Sequence, residues 1–223
     1  MGLLFYQTCT AGGRLVKWLT MHEVVLNADS ADREGGFILA CTHLSHLEPF
    51  IVSGAVDRQV RWMARIEFYQ SRWQAAALHW GGAFPIDRYG SPLSSIRTAI
   101  RLAKSGEVLG MFPEGGVTKG RNSVLRGAPF KQGVCTIAIE TRLPVLPVVV
   151  LGTDRLNRIG PWLPFRRGRL WTAFGNDVLP PERSGSRRAD RADMAVRLGE
   201  EFVLTYHRLL DQSKDEITDE QVP

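Results

Sequence analysis

Short apolar runs punctuate this sequence, and they constrain the fold more than any other feature. Gly36–Cys41, Gln59–Arg65, Gly82–Ile86, Val108–Phe112 and Pro144–Leu151 are each five to eight residues long and are bounded by turn-forming or charged residues. Apolar runs this short read as buried strands rather than helices. Between them lie stretches of helical period. Ser91–Gly106 repeats Leu93, Ile96, Ile100 and Ala103 every three or four residues, with Ser91 suited to the N-cap, Pro92 to the first turn and Gly106 to the stop. Helices are also expected near Glu67–Trp80, over Phe130–Arg142 and over 187–213. A further short strand is expected at 22–27, and 28–36 reads as a polar loop. Strands alternating with helices specify an α/β fold with a mixed, largely parallel sheet flanked by helices. No repeat or linker divides the 223 residues, so residues 1–210 are read as one domain, long enough to bury a substantial core.

The charge is unevenly placed. The chain carries +5 overall, yet residues 211–223 hold five acids against one Lys, which leaves +9 on residues 1–210. The acidic tail reads as a solvated end. A basic body calls for an anionic partner: nucleic acid, a lipid surface or a phosphorylated substrate. A hydrophobic content of 44% with 23% charge excludes disorder, collagen and coiled coil for the whole chain. Three cysteines, Cys9, Cys41 and Cys135, form no disulfide framework and favour a reducing compartment. The longest apolar run, Leu143–Leu151, is too short to span a bilayer. The start of the chain lacks the basic region and small-residue site of a signal peptide. Residues 1–20 are read as an amphipathic, membrane-contacting helix, with Leu3, Leu4, Phe5, Leu15, Val16, Trp18 and Leu19 beside Arg14 and Lys17.

Three segments carry chemistry, each directly after or at the end of a strand, where sites of α/β sheets collect. The first is Thr42–Pro49. His43 and Glu48 are five apart, about 140° around a continuous helix, so they cannot face each other on one. Pro49 biases Glu48 out of the helical region and suits a helix start. His43 can then sit in a turn with the Glu48 carboxylate folded back onto its ring, which would free the other ring nitrogen as a general base. A hydrogen-bonded structural His with a helix-capping Glu fits the same residues. So does a metal site of Cys41, His43, His46 and Glu48, although the crowding matches no usual zinc spacing. The second segment, Phe112–Arg121, is rich in Gly and adds Thr118, Lys119 and Arg121, which suits an anion or a developing oxyanion; an exposed flexible loop is the plainer reading. The third, Gly82–Arg88, ends in Asp87-Arg88, where Arg88 could grip a phosphate or make a surface ion pair.

Taken together, these segments resemble the glycerophospholipid acyltransferases, typified by 1-acylglycerol-3-phosphate acyltransferase. The family's motifs HX4D, GxxFIDR, FPEG and PVxPV are matched in order by His43–Glu48, Gly82–Arg88, Phe112–Gly115 with Thr118, and Pro144–Val148. The resemblance covers about residues 35–180. It implies the glycerolipid acyltransferase fold and transfer of a fatty acyl group from acyl-CoA or acyl carrier protein to a lysophospholipid hydroxyl, without metal, cofactor or covalent intermediate. His43 would be the base and Glu48 its orienting acid. Arg88, Glu114, Gly115, Thr118, Lys119 and Arg121 would bind the acceptor and its phosphate, and Pro147 would shape the acyl site. Two positions depart from the pattern: Glu48 stands for Asp, and Val117 stands where an Arg is frequent. A non-glycerophosphate acceptor, or an inactive lipid-binding member, is therefore kept beside the main reading.

The substrates imply peripheral attachment at the cytoplasmic face of a membrane. Arg155–Arg169, with five Arg, no acid and interleaved Trp162 and Phe165, is a second candidate for an anionic membrane surface. The same composition could stack single-stranded nucleic acid, but no nucleic-acid fold motif accompanies it, and no nucleic-acid partner is expected.

Overall fold

A computed structural model describes residues 2–87, 92–157 and 168–213. Arg88, most of the Arg155–Arg169 segment and residues 214–223 lie outside the described residues. The order is α1 (Gly2–Thr20), β1 (Met21–Leu26), β2 (Phe37–Cys41), α2 (Glu48–Ala55), β3 (Val60–Arg65), α3 (Arg72–Trp80), β4 (Phe84–Ile86), α4 (Pro92–Lys104), β5 (Val108–Met111), α5 (Gly133–Thr141), β6 (Val145–Leu151), β7 (Gly168–Phe174) and α6 (Arg187–Gln212). The seven strands form one sheet in the order β1-β7-β6-β2-β5-β3-β4. Every pairing is parallel except β6 with β7.

The central strands are apolar on both sides because both faces are covered. In β2, Ile38 and Ala40 join one core with α4, α5 and α6, through residues such as Ala99, Ile137 and Phe202. Phe37, Leu39 and Cys41 point the other way, into a core with Ile51 and Val52 of α2. All five β2 residues are fully buried.

Three local readings are revised. The helix expected near Glu67–Trp80 divides into a 3-10 turn, Ile66–Tyr69, and α3. The helix expected over Phe130–Arg142 begins only at Gly133. Strand β7 was not expected at all. Pro147 sits inside the central strand β6, where a missing N–H is normally costly. Its carbonyl accepts from Gly175 N–H at 2.9 Å, just where β7 has ended.

Helix α1 is inverted relative to an ordinary surface helix. Its buried residues are Tyr6, Lys17 and Thr20. Lys17 pairs with Glu23 at 2.7 Å, and Arg14 donates to the Gly54 carbonyl of α2 at 2.7 Å. Leu4, Leu15 and Trp18 face out, with Trp18 73% exposed. Phe5 meets Trp80 of α3 edge-on at 5.4 Å, and α3 buries none of its residues. Among the described residues no helix is long and apolar enough to cross a membrane.

Candidate active site

Strand β2 ends at Cys41, and the next residue anchors the turn. Thr42 N–H donates to Val148 O and Thr42 Oγ1 accepts from Val150 N–H, both at 3.0 Å. His43 therefore leaves the sheet from a fixed point. Glu48 opens α2 with Pro49 in the first turn, and its carboxylate folds back as the spacing argument required. Glu48 Oε2 lies 3.0 Å from His43 Nδ1. Glu48 Oε1 accepts from Ser45 N–H at 2.7 Å and from the Thr153 hydroxyl. Glu48 is wholly buried, whereas the His43 side chain keeps 11% exposure. The imidazole thus has one nitrogen held by a buried carboxylate, and its other nitrogen, Nε2, makes no protein hydrogen bond among the described residues. His46 lies beside it, ring centroids 5.7 Å apart, but is exposed.

An aromatic column fixes the ring plane. Phe112 stacks on His43 at 4.1 Å, and Trp62 stacks on Phe112 at 5.1 Å. Trp62 is itself pinned by its indole N–H to Ser53 Oγ of α2 at 2.8 Å. A Cβ at Gly110 would collide with the Trp62 ring, so the column needs glycine there.

The loop after β5 closes over the turn. Thr118 N–H donates to His43 O at 3.0 Å. Glu114 Oε2 accepts from His43 N–H at 3.0 Å, and its Oε1 accepts from Ser123 Oγ–H at 3.1 Å and Val124 N–H at 3.0 Å. The Glu114 carboxylate is therefore occupied in bracing one loop against the other. Gly115 N–H is spent on Phe112 O at 3.0 Å, while the N–H groups of Gly116 and Val117 make no backbone bond among the described residues. Gly115 has φ +76°, and a Cβ on it would stand 2.6 Å from Lys131 Nζ. Lys131 and Arg65 thus flank the Gly115-Gly116 backbone, the latter with a guanidinium nitrogen 3.9 Å from where a Gly116 Cβ would be.

The structure brings together His43, Glu48, Glu114, Gly115 and Thr118. The Thr118 hydroxyl is buried without a hydrogen-bond partner among the described residues. Lys119 is mostly exposed and pairs with Asp154 at 3.2 Å, and Arg121 is exposed on a 3-10 turn, Gly120–Asn122. Pro147 is buried in β6, on the side where a Gly175 Cβ would meet its ring and Thr205 of α6. Arg88 lies outside the described residues, beyond the end of β4. The sequence reading missed Thr153, Trp62 and Arg65 as site residues. Arg65 had a usable signal, a cation closing an apolar strand; Thr153 had none nearby, since it reaches the site across 105 residues. Cys41 is wholly buried, and burial, then the Glu48 and Glu114 carboxylates, push its thiol well above the ordinary range. Among the described residues no three His, Cys, Asp or Glu side chains cluster as a metal site.

A mixed, largely parallel α/β sheet carries at one strand end a histidine held by a buried carboxylate, facing a Gly-rich loop. Residues 23–151 match the sequence pattern of the family described as Acyltransferase, and the chain belongs to that family; it is an O-acyltransferase. It is 29% identical over 174 residues to the 1-acyl-sn-glycerol-3-phosphate acyltransferase of Bacillus subtilis (strain 168), covering 78% of this chain and 82% of that one. It is 29% identical over 149 residues to the same-named protein of Streptococcus pneumoniae (strain ATCC BAA-255 / R6), covering 66% and 52%. The crystal structure of the 1-acyl-sn-glycerophosphate (LPA) acyltransferase PlsC from Thermotoga maritima superposes with a TM-score of 0.69 at 21% identity, covering 96% of this chain and 81% of that one. That likeness establishes the glycerolipid acyltransferase fold.

Proposed function

We propose that this protein transfers a fatty acyl group from an acyl thioester, acyl-CoA or acyl carrier protein, to the free hydroxyl of 1-acylglycerol-3-phosphate or a close lysophospholipid. The observation that carries this reading is the 3.0 Å contact of His43 Nδ1 with buried Glu48, which orients Nε2 toward the open side. Nε2 takes the acceptor hydroxyl proton, and the alkoxide oxygen attacks the thioester carbonyl. The tetrahedral oxyanion is held by the Gly116 and Val117 N–H groups, donors fixed before the reaction begins. Collapse breaks the carbon–sulfur bond, and the proton on Nε2 goes to the departing thiolate. The Glu48 carboxylate, held against Nδ1, stabilises the transient imidazolium.

Lys131 and Arg65 supply charge beside the Gly115-Gly116 backbone for the acceptor phosphate. Arg88 joins them by the family resemblance, and Lys131 and Arg65 answer the absence of an Arg at position 117. The activity for which the Bacillus subtilis and Streptococcus pneumoniae relatives are named favours 1-acylglycerol-3-phosphate as acceptor. Docking is peripheral, at the cytoplasmic face of an anionic membrane. The outward apolar face of α1, extended through Phe5 and Trp80 to exposed Trp73, enters the interface, where indole rings are favoured.

The test is acyl transfer from labelled acyl-CoA and acyl carrier protein to a panel of lysophospholipids in mixed micelles. Turnover highest on 1-acylglycerol-3-phosphate supports the reading. Preference for an acceptor without phosphate removes the cationic-site argument, and no transfer to any acceptor leaves a lipid-binding role.

A further inference from the structure

We propose that Thr153 is the positioning residue that lets a glutamate serve at position 48; this rests on reading His43 as the general base. Gly152 turns the chain off the end of β6 at φ +87°, pressed so closely on Arg169 of β7 that a Cβ would collide with its carbonyl oxygen. That turn aims Thr153, wholly buried, back across the sheet end. Its hydroxyl donates to Glu48 Oε1, the oxygen that also accepts from Ser45 N–H at 2.7 Å. With two donors on Oε1, the carboxylate is locked about its terminal torsion, a soft one when left alone. Oε2 is thereby committed to His43 Nδ1. The extra methylene of Glu over Asp has a use: it carries the carboxyl far enough to meet Thr153 and Ser45 while still reaching the imidazole. Position 48 and position 153 are therefore one unit, and neither is interchangeable alone.

The Thr153 hydroxyl touches no reacting atom in this scheme, so its loss should act through the histidine. Thr153→Val should lower kcat by about ten- to a hundredfold, the scale of a lost hydrogen bond to a charged group, with KM for both substrates within about twofold. Thr153→Ser, which keeps the hydroxyl, should recover most of the rate. In the substrate-free protein, the ¹⁵N shifts of His43 should report the Nδ1–H tautomer in wild type and Thr153→Ser, and a tautomer mixture in Thr153→Val. Glu48→Asp should lose a similar factor, and the Glu48→Asp/Thr153→Val double variant should be no slower than the worse single variant, because both remove the same contact. Four results would overturn the proposal: Thr153→Val keeping kcat within about threefold, Thr153→Ser failing to rescue, His43 shifts unchanged, or factors that simply multiply in the double variant. If Thr153→Val does not fold, the Thr153→Ser and Glu48→Asp measurements decide alone. His43→Ala separates the two readings. Should it remain active, the base assignment falls, while the ¹⁵N shifts still report whether Thr153 orients the ring.

Discussion

His43 and His46 stand three positions apart with their rings in contact, yet their surroundings give them different work. His43 has a buried carboxylate on one nitrogen and a phenyl ring on its face; His46 is exposed to solvent. We expect His43→Ala to cut kcat by about 10²–10⁴-fold, the usual worth of a positioned base, and His46→Ala to stay within a few-fold. Both variants should fold; His43→Ala should lower the unfolding midpoint because it strips a partner from buried Glu48, whereas exposed His46→Ala should leave it near wild type. Cys41 gives a second contrast two residues away. Its thiol is raised by burial and by two neighbouring acids, and a raised acid stays protonated as pH climbs through the ordinary thiol range. Treatment with N-ethylmaleimide at pH 8 should label exposed Cys9, spare Cys41, and leave turnover intact. Mass spectrometry of the digest, read beside the activity, checks both parts.

Between the helices and the His43–Glu48 turn, the controlling element is the aromatic column from Trp62 through Phe112 to His43. It depends on Gly110 of β5, where any side chain would enter the indole ring. Gly110→Ala should cost about 1–3 kcal/mol of stability, the usual range for overpacking, and should lower kcat beyond that loss because the imidazole plane tilts. Urea titration against turnover measures the two effects separately. The elements that position the site were legible in the sequence for a simple reason. Buried parallel strands are apolar on both sides, so β2, β5 and β6 announce themselves locally. The His43–Glu48 turn was legible through Pro49, whose ring constrains the residue before it. Strand β7 was not, because Gly168–Phe174 follows a basic, aromatic stretch and is defined by its partners β1 and β6 rather than by its own pattern. The same holds for Glu114. Its motif marked it as important, but only the fold shows its carboxylate joined to His43, Ser123 and Val124. Contacts spanning 71 residues leave no periodic trace.

For the whole molecule, the proposed docking rests on the inverted α1. Leu15 and Trp18 are exposed, so replacing both by Ser should leave the unfolding midpoint unchanged. Vesicle binding should fall by at least tenfold, since each buried apolar side chain is worth about 1.5–3 kcal/mol. Co-sedimentation with anionic liposomes measures this; unchanged binding would place the docking face elsewhere. The sheet order carries a consequence of another kind. Among the described residues strand β1 lies at the edge and pairs with β7 alone, so a strand made early must wait for one made more than 140 residues later. Chains emerge at about 5–20 residues per second, and closing so distant a contact is slow. During that interval β1 lacks its partner strand while α1 already has α2 and α3 to rest on, its apolar outer face open to a membrane or a chaperone. On the docking proposed above, the nascent chain meets a bilayer before its sheet is complete, and the order of synthesis favours folding at that surface.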